Sequence, residues 1–171
     1  MQNFFIRKAE ESDLGALAEA SRAMKAPQDD SYFRRCLEEQ AKGSRDLVIA
    51  CRQEGGLLGY VLLNWQPLYP VFKRLGIPEV QDLNVVPAER RQGIGGLLVE
   101  WCEGAVRASG RKEVGIAVGL DARYGAAQRL YVRRGYVPDG AGISYDDVPV
   151  APGEMRPVDD LMTLRLVKSL D

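Results

Sequence analysis

The sequence predicts a mixed α/β fold, a central and mostly antiparallel sheet with helices on both faces. Three features carry that expectation. A strand over Val80–Val86, an amphipathic helix over Ile94–Val106 and a second strand over Val114–Leu120 make one crossover unit, which joins parallel strands with right-handed chirality. Leu47–Cys51 and Leu57–Trp65 flank Glu54-Gly55-Gly56, the spacing of a hairpin, so antiparallel pairing dominates elsewhere. No repeat, linker or low-complexity run interrupts the chain, so residues 1–171 are expected to form one domain.

The opening run Met1 to Lys8 reads as a first strand and lacks the basic-then-apolar order of a secretory signal. Ser12-Asp13 can cap a helix running through Leu14, Leu17 and Ala18 to Met24. Pro27-Gln28-Asp29-Asp30 interrupts it, and Ser31 starts a second helix over Tyr32, Phe33, Cys36 and Leu37 that Gly43-Ser44 ends. After the hairpin, Pro67 and Pro70 bound a loop, and a short helix follows over Val71–Leu75. Pro87 stops the next strand. In the long helix Ile94, Leu97, Leu98, Trp101, Cys102, Ala105 and Val106 recur at spacings of three and four, and Ser109-Gly110 closes it. Val114, Ile116 and Val118 then alternate with Gly115, Ala117 and Gly119, a strand with one bulky and one nearly bare face. A helix over Tyr124–Arg134 ends at Gly135, Tyr136-Val137 opens another strand, and Leu161–Val167 is the last. The stretch Gly140–Asp160, rich in Gly, Pro and Asp, reads as a surface loop.

A chain of 171 residues that is 46% hydrophobic can sustain its own core. Lys and Arg (23) balance Asp and Glu (24), so no overall basic field draws it to nucleic acid or a membrane surface. Histidine is absent, which excludes Ser-His-Asp and Cys-His nucleophiles and any His-ligated zinc. Acid–base chemistry falls to Asp, Glu, Tyr, Lys or Cys. Cys36, Cys51 and Cys102 are scattered without a CxxC spacing, so free thiols in a reducing compartment are expected, with no metal. Cys102 falls on the apolar face of the long helix, where packing is its expected role. No run approaches the roughly 18 apolar residues that span a bilayer, and a cytoplasmic location is expected.

Arg90-Arg91-Gln92-Gly93-Ile94-Gly95-Gly96 lies where the Val80–Val86 strand gives way to the long helix. Unpaired N–H groups at a helix start attract an anion, and glycines let phosphate oxygens approach the main chain. The P-loop pattern fails, because Gly96-Leu97-Leu98 replaces its Gly-Lys-Ser/Thr ending. The dinucleotide fingerprint fails at Leu98, where its third glycine belongs, although Glu113 stands where a ribose-binding acid would. On this motif alone, a phosphate site and simple tight packing by Gly95 and Gly96 weigh evenly.

The wider pattern breaks the tie. Val85-Val86-Pro87 followed by Arg90-x-x-Gly93-x-Gly95 resembles the R/Q-x-x-G-x-G/A acetyl-coenzyme A motif of the GNAT superfamily of N-acetyltransferases. Ala127-x-x-Leu130-Tyr131-x-x-x-Gly135-Tyr136 is similar to a second element of that superfamily, and Ile6-Arg7-x-Ala9-x-x-x-Asp13 to its opening. The resemblance implies a GNAT-type sheet whose parallel strand pair splays apart at the cofactor site. It implies that acetyl-CoA is the cosubstrate, its pantetheine arm pairing with main-chain groups at Leu83, Val85 and Val86. The pyrophosphate would lie on Gln92, Gly93, Ile94, Gly95 and Gly96, with Arg90 and Arg91 at the rim. Gly115, Ala117 and Gly119 suit either close packing near such a wedge or a helix pressed onto that face.

Acetyl transfer to an amine needs a neutral nucleophile, donors for a tetrahedral oxyanion and a proton for the leaving thiolate. Strand N–H groups near Leu83 or Val85 are the oxyanion donors considered. Tyr131, at the tyrosine position of the second element, is the proton donor that the resemblance implies. Glu79 matches where several members of the superfamily carry a base, and Asp82 is its rival, with a water chain as a third course. A strand bulge, frequent in the superfamily here, would exchange the faces of the two acids. Tyr124 stands where many members carry a cofactor-binding Asn, so that contact is not carried over.

The expected acceptor is a primary amine on a small molecule or a protein, attacked directly in a ternary complex. Tyr32, Phe33, Trp65, Tyr69, Phe72 and Tyr145-Asp146-Asp147 are candidates to line its site. Nucleic-acid and membrane partners are not expected, and a homodimer is admitted. Two rival readings are a non-catalytic acyl-CoA sensor, which the retained Tyr131 disfavours, and a dinucleotide-dependent oxidoreductase, which Leu98 disfavours.

Overall fold

Leu17, Phe33, Leu47 and Ile49 are entirely buried and set the core of the first of two compact units into which the chain divides. The computed structural model describes residues 4–24 and 28–171, so the readings of Met1–Asn3 and Pro27 lie outside the described residues. The first unit comprises residues 1–65 and 80–104, and the second residues 66–79 and 105–171.

In the first unit the strands β1 (Phe4–Lys8), β2 (Arg45–Arg52), β3 (Leu57–Asn64) and β4 (Glu79–Val85, from Val80 on) lie side by side in that order. β1 and β3 both run antiparallel to β2, with Ile6 opposite Ala50 and Val48 opposite Val61. Gly55 and Gly56 turn the β2–β3 hairpin at φ of +95° and +101°, a backbone that only glycine adopts without strain. The helices α1 (Leu14–Ala23) and α2 (Asp30–Ala41) bury Leu14, Leu17, Phe33 and Cys36 against Leu47, Ile49, Tyr60 and Leu62. Each such Leu or Phe contributes about 2 kcal/mol by leaving water. α4 (Ile94–Ala108) adds Leu98, Val99 and Cys102, all fully buried, which bears out the packing role read for that cysteine.

Asp13 stands at the N-cap of α1 as read, though its side chain makes no capping bond into that helix, and the start of α2 differs from the sequence reading. A 3-10 turn over Glu11–Asp13 precedes α1, and the Asp13 carboxylate accepts from the Glu10 N–H at 2.8 Å and from Arg7. α2 starts before Ser31, because the Asp29 carboxylate accepts the Tyr32 N–H at 3.0 Å while the Ser31 hydroxyl donates to the same acid.

The second unit holds α3 (Pro70–Leu75), the entry of β4, β5 (Glu113–Gly119), α5 (Gly125–Arg133), β6 (Val137–Tyr145), β7 (Val148–Pro149) and β8 (Met162–Ser169). Its strand order is β5-β8-β6-β7, and every one of these pairs is antiparallel. The Pro78 carbonyl accepts the Gly115 N–H at 2.8 Å, so β4 enters alongside β5, the strand to which α4 connects it. The mixed, mostly antiparallel α/β class read from the sequence is the one observed.

Of the span Gly140–Asp160 read as a loop, the first part forms strands instead, and residues 151–160 hold neither helix nor strand, as read. β6 continues to Tyr145 and folds back on β7 through Asp146 and Asp147, at φ of +48° and +64°. Gly140 and Gly142, both left-handed, lie in the register shift between Pro138 and Ile143, so these glycines mark an irregularity within a strand rather than its end. The bare face of β5 also has its explanation. A Cβ on Gly115 would sit 2.1 Å from the Phe72 ring, and one on Gly119 would sit 2.3 Å from the Tyr124 ring. Among the described residues no helix is long and apolar enough to cross a membrane, and no group of three or more Cys, Asp or Glu could hold a metal ion.

Candidate active site

In the first unit, β4 leads through Pro87–Glu89 to the start of α4. Arg91 and Gly93 both have positive φ, +66° and +83°. Arginine at such a φ is strained, and the turn holds it there. Leu97 N–H makes the first helical bond, to the Gly93 carbonyl at 3.1 Å, so the N–H groups of Ile94, Gly95 and Gly96 have no acceptor one turn back. They sit at the positive end of the 15-residue helix dipole. Gly93 is exposed, with no atom within 4 Å of where a Cβ would lie.

The residues around this helix start are fixed by named bonds. Arg90 Nε donates to the Val85 carbonyl at 3.1 Å, which ties the turn to the end of β4. Gln92 turns its side chain to Glu89 (3.1 Å), itself paired with Arg52 at 2.7 Å, so Gln92 presents its main chain. Val86 has both main-chain groups bonded within the chain, its N–H to the Leu58 carbonyl (2.9 Å) and its carbonyl to the Glu89 N–H (2.8 Å). Leu83 and Val85 are half-buried on the strand itself.

β4 bends at Asp82, whose φ is +49°. Asn84 Nδ2 donates to the Asp82 carbonyl at 3.0 Å, and Gly59 makes room for the bent strand, since a Cβ there would lie 2.5 Å from the Asn84 carbonyl oxygen. Asp82 is exposed and its carboxylate accepts a hydrogen bond from the Tyr32 hydroxyl. Burial first, and then the Asp82 charge, hold the Tyr32 phenol well above its ordinary pKa, so it stays a donor.

Glu79 belongs to the second unit and is in a different state. Its side chain is 1% exposed and accepts from Arg165 Nε at 2.9 Å. Arg165 also donates to Ser144 Oγ (2.8 Å), Thr163 Oγ1 and Asp147, and its guanidinium lies 4.6 Å over the Tyr69 ring. Sequence reasoning passed over Arg165. The signal was a lone cation inside the apolar run Leu164-Arg165-Leu166-Val167, a place where a charge is buried only when paired.

Tyr131, on α5, is 5% exposed, and burial alone pushes its phenol well above the ordinary tyrosine value. Its ring tilts against Tyr136 at 6.0 Å. Tyr124 donates to Asp160 at 2.8 Å and lies under the Arg123 guanidinium, with burial the first cause of a pKa raised to about 12. Three aromatics considered for an acceptor site are anchored within the chain. Trp65 Nε1 donates to Asp46 (3.0 Å), buried Tyr69 to Asp139 (2.8 Å) and Tyr145 to Asp159 (2.9 Å). Phe72 is fully buried edge-on to Tyr69.

The family model for the acetyltransferase (GNAT) domain matches residues 44–138. No curated protein matches the sequence. Among solved structures, the chain is similar to an N-acetyltransferase from Staphylococcus aureus Mu50, with a TM-score of 0.71 and 18% identity over 99% of this chain and 100% of that one. It is similar to a GNAT superfamily phosphinothricin acetyltransferase from Sinorhizobium meliloti in complex with AcCoA, at TM-score 0.71 and 16% identity over 98% and 89% of the two chains. A ribosomal-protein-alanine N-acetyltransferase from Brucella melitensis gives TM-score 0.70 and 18% identity over 96% and 99%. At these identities the likeness is one of fold.

Proposed function

Because the chain belongs to the GNAT acetyltransferase family, whose domain model spans residues 44–138, we propose that it transfers the acetyl group of acetyl-CoA to a primary amine by direct attack in a ternary complex. The observation that carries this reading is the start of α4, where Ile94, Gly95 and Gly96 present N–H groups without a helical acceptor beside an open, left-handed Gly93. Those residues fit a diphosphate, which calls for several converging donors and no side chain in the way.

Acetyl-CoA supplies a thioester carbonyl and a thiol leaving group. The main chain of Gln92, Gly93, Ile94, Gly95 and Gly96 holds its pyrophosphate, with Arg90 and Arg91 adding positive charge beside it. Leu83 and Val85 offer strand main chain to the pantetheine arm, and Val86, with its own groups bonded to Leu58 and Glu89, shapes that edge. Tyr131 keeps its proton through the neutral range and gives it to the departing sulfur. Of the two acids, Glu79 is enclosed with Arg165, whereas Asp82 is open to an incoming amine, and the base role goes to Asp82.

A thiol-release assay with acetyl-CoA over a panel of spermidine, lysine and an alanine-terminated peptide tests the proposal. Release that depends on one of these amines is the expected result. Release with none of them, at saturating acetyl-CoA, would overturn it.

A further inference from the structure

The pairing of Tyr32 with Asp82 lies wholly in the first unit, and both partners are held in place. Asp82 occupies a left-handed backbone position, fixed by the Asn84 side chain on its carbonyl and by the clearance at Gly59. Tyr32 is fixed at the first turn of α2, where Asp29 takes its N–H. Its ring meets Phe33 edge-on at 5.3 Å, and the Arg35 guanidinium lies 5.7 Å over it. Phe33 in turn meets Tyr60 edge-on at 5.3 Å. Among the described residues no Lys or Arg forms a salt bridge with Asp82. Tyr32 touches its carboxylate, and Cys36 on α2 and Tyr60 on β3 are the further titratable groups that feel its charge. Burial holds all three above their ordinary values, so they are neutral at neutral pH. The site is thus an exposed acid whose one bonded neighbour is a neutral hydroxyl.

Resting on the acetyl-transfer reading above, in which Asp82 is the base, we infer that Tyr32 is the positioning residue that aims the Asp82 carboxylate at an incoming ammonium group. Tyr32 bonds Oδ2, which leaves Oδ1 for the acceptor. An ammonium N–H bond breaks, an O–H bond forms on Oδ1, and the freed nitrogen lone pair is the nucleophile. Such a base serves an acceptor that arrives as an ammonium, since an amine already neutral needs no proton removed before it attacks.

The test compares kcat/KM for spermidine and for a lysine-containing peptide in the wild type, Tyr32→Phe, Asp82→Asn and the double variant. Asp82→Asn should lose about a hundredfold or more, and the loss should shrink as pH rises toward the amine's own pKa of about 10.4. Tyr32→Phe keeps the ring and should lose about tenfold, with acetyl-CoA affinity by calorimetry unchanged in every variant. A positioning residue acts through its partner, so removing the hydroxyl from the Asp82→Asn background should cost nothing further. Equal losses from Tyr32→Phe in both backgrounds, or wild-type kcat/KM in Asp82→Asn, would overturn the inference while leaving acetyl transfer intact. A wild type that turns over neither amine, nor the alanine-terminated peptide of the thiol-release assay, would instead overturn the acetyl-transfer reading, and this inference with it.

Discussion

Arg165 donates through Nε to Glu79 across 2.9 Å, with the two side chains 5% and 1% exposed. The same guanidinium reaches Ser144 on β6 and Asp147 in the β6–β7 turn, so one buried cation fastens the entry of β4 to the hairpin. A buried ion pair is not in itself a large source of stability, but breaking one leaves a charge stranded. Arg165→Ala should therefore cost about 3–5 kcal/mol in urea unfolding, and adding Glu79→Gln should recover part of that loss. A loss below about 1 kcal/mol would contradict the anchoring role.

Gly115 is required by Phe72. A methyl group at this position would overlap the ring, 2.1 Å from its nearest carbon, and Phe72 is fully buried with little room to yield. Gly115→Ala should destabilise the fold by about 1–3 kcal/mol, read as a lower urea midpoint. The double variant with Phe72→Leu should regain part of it.

Asp13 links stability to acid pH. The Arg7 guanidinium, bonded at 2.7 and 2.9 Å, is the main cause of a carboxyl pKa below its ordinary value, and the Glu10 N–H adds to it. A depressed folded pKa means that the contribution is present above the unfolded value of about 3.9 and is lost as pH falls through the lower folded one. Asp13→Asn should lower the melting temperature at neutral pH and flatten its dependence on pH below about 4. An unchanged acid slope would show that the pair carries no linkage.

Tyr131→Phe keeps the buried ring and removes the proposed proton donor. Turnover should fall about a hundredfold while the acetyl-CoA dissociation constant stays near that of the wild type. Burial raises this phenol's pKa, so it should add no alkaline loss of activity below about pH 10. Wild-type turnover in the variant would show that the leaving thiolate needs no help from this phenol.

What the sequence disclosed follows from which signals are local. The three-and-four spacing from Ile94 to Val106 and the glycines before it belong to one helix and its entry, and both were readable as such. The bend at Asp82 was anticipated only as the strand bulge that the family resemblance implies, and no residue pattern placed it, because a non-glycine residue at positive φ is imposed by its surroundings, here Gly59 and Asn84. Gly140 and Gly142 misled for a related reason, since glycine marks an irregularity inside a strand as readily as the end of one. Glu79 and Arg165 are separated by 86 positions, and no pattern in either strand reports their meeting.

Calorimetric titration of acetyl-CoA into the wild type and into Gly93→Trp bears most directly on the proposed grip of α4 on a diphosphate. Saturable one-to-one binding, weakened at least about tenfold by a side chain at the open Gly93 position, is the predicted result. No detectable complex with any CoA species, or equal affinity in the two proteins, would contradict it.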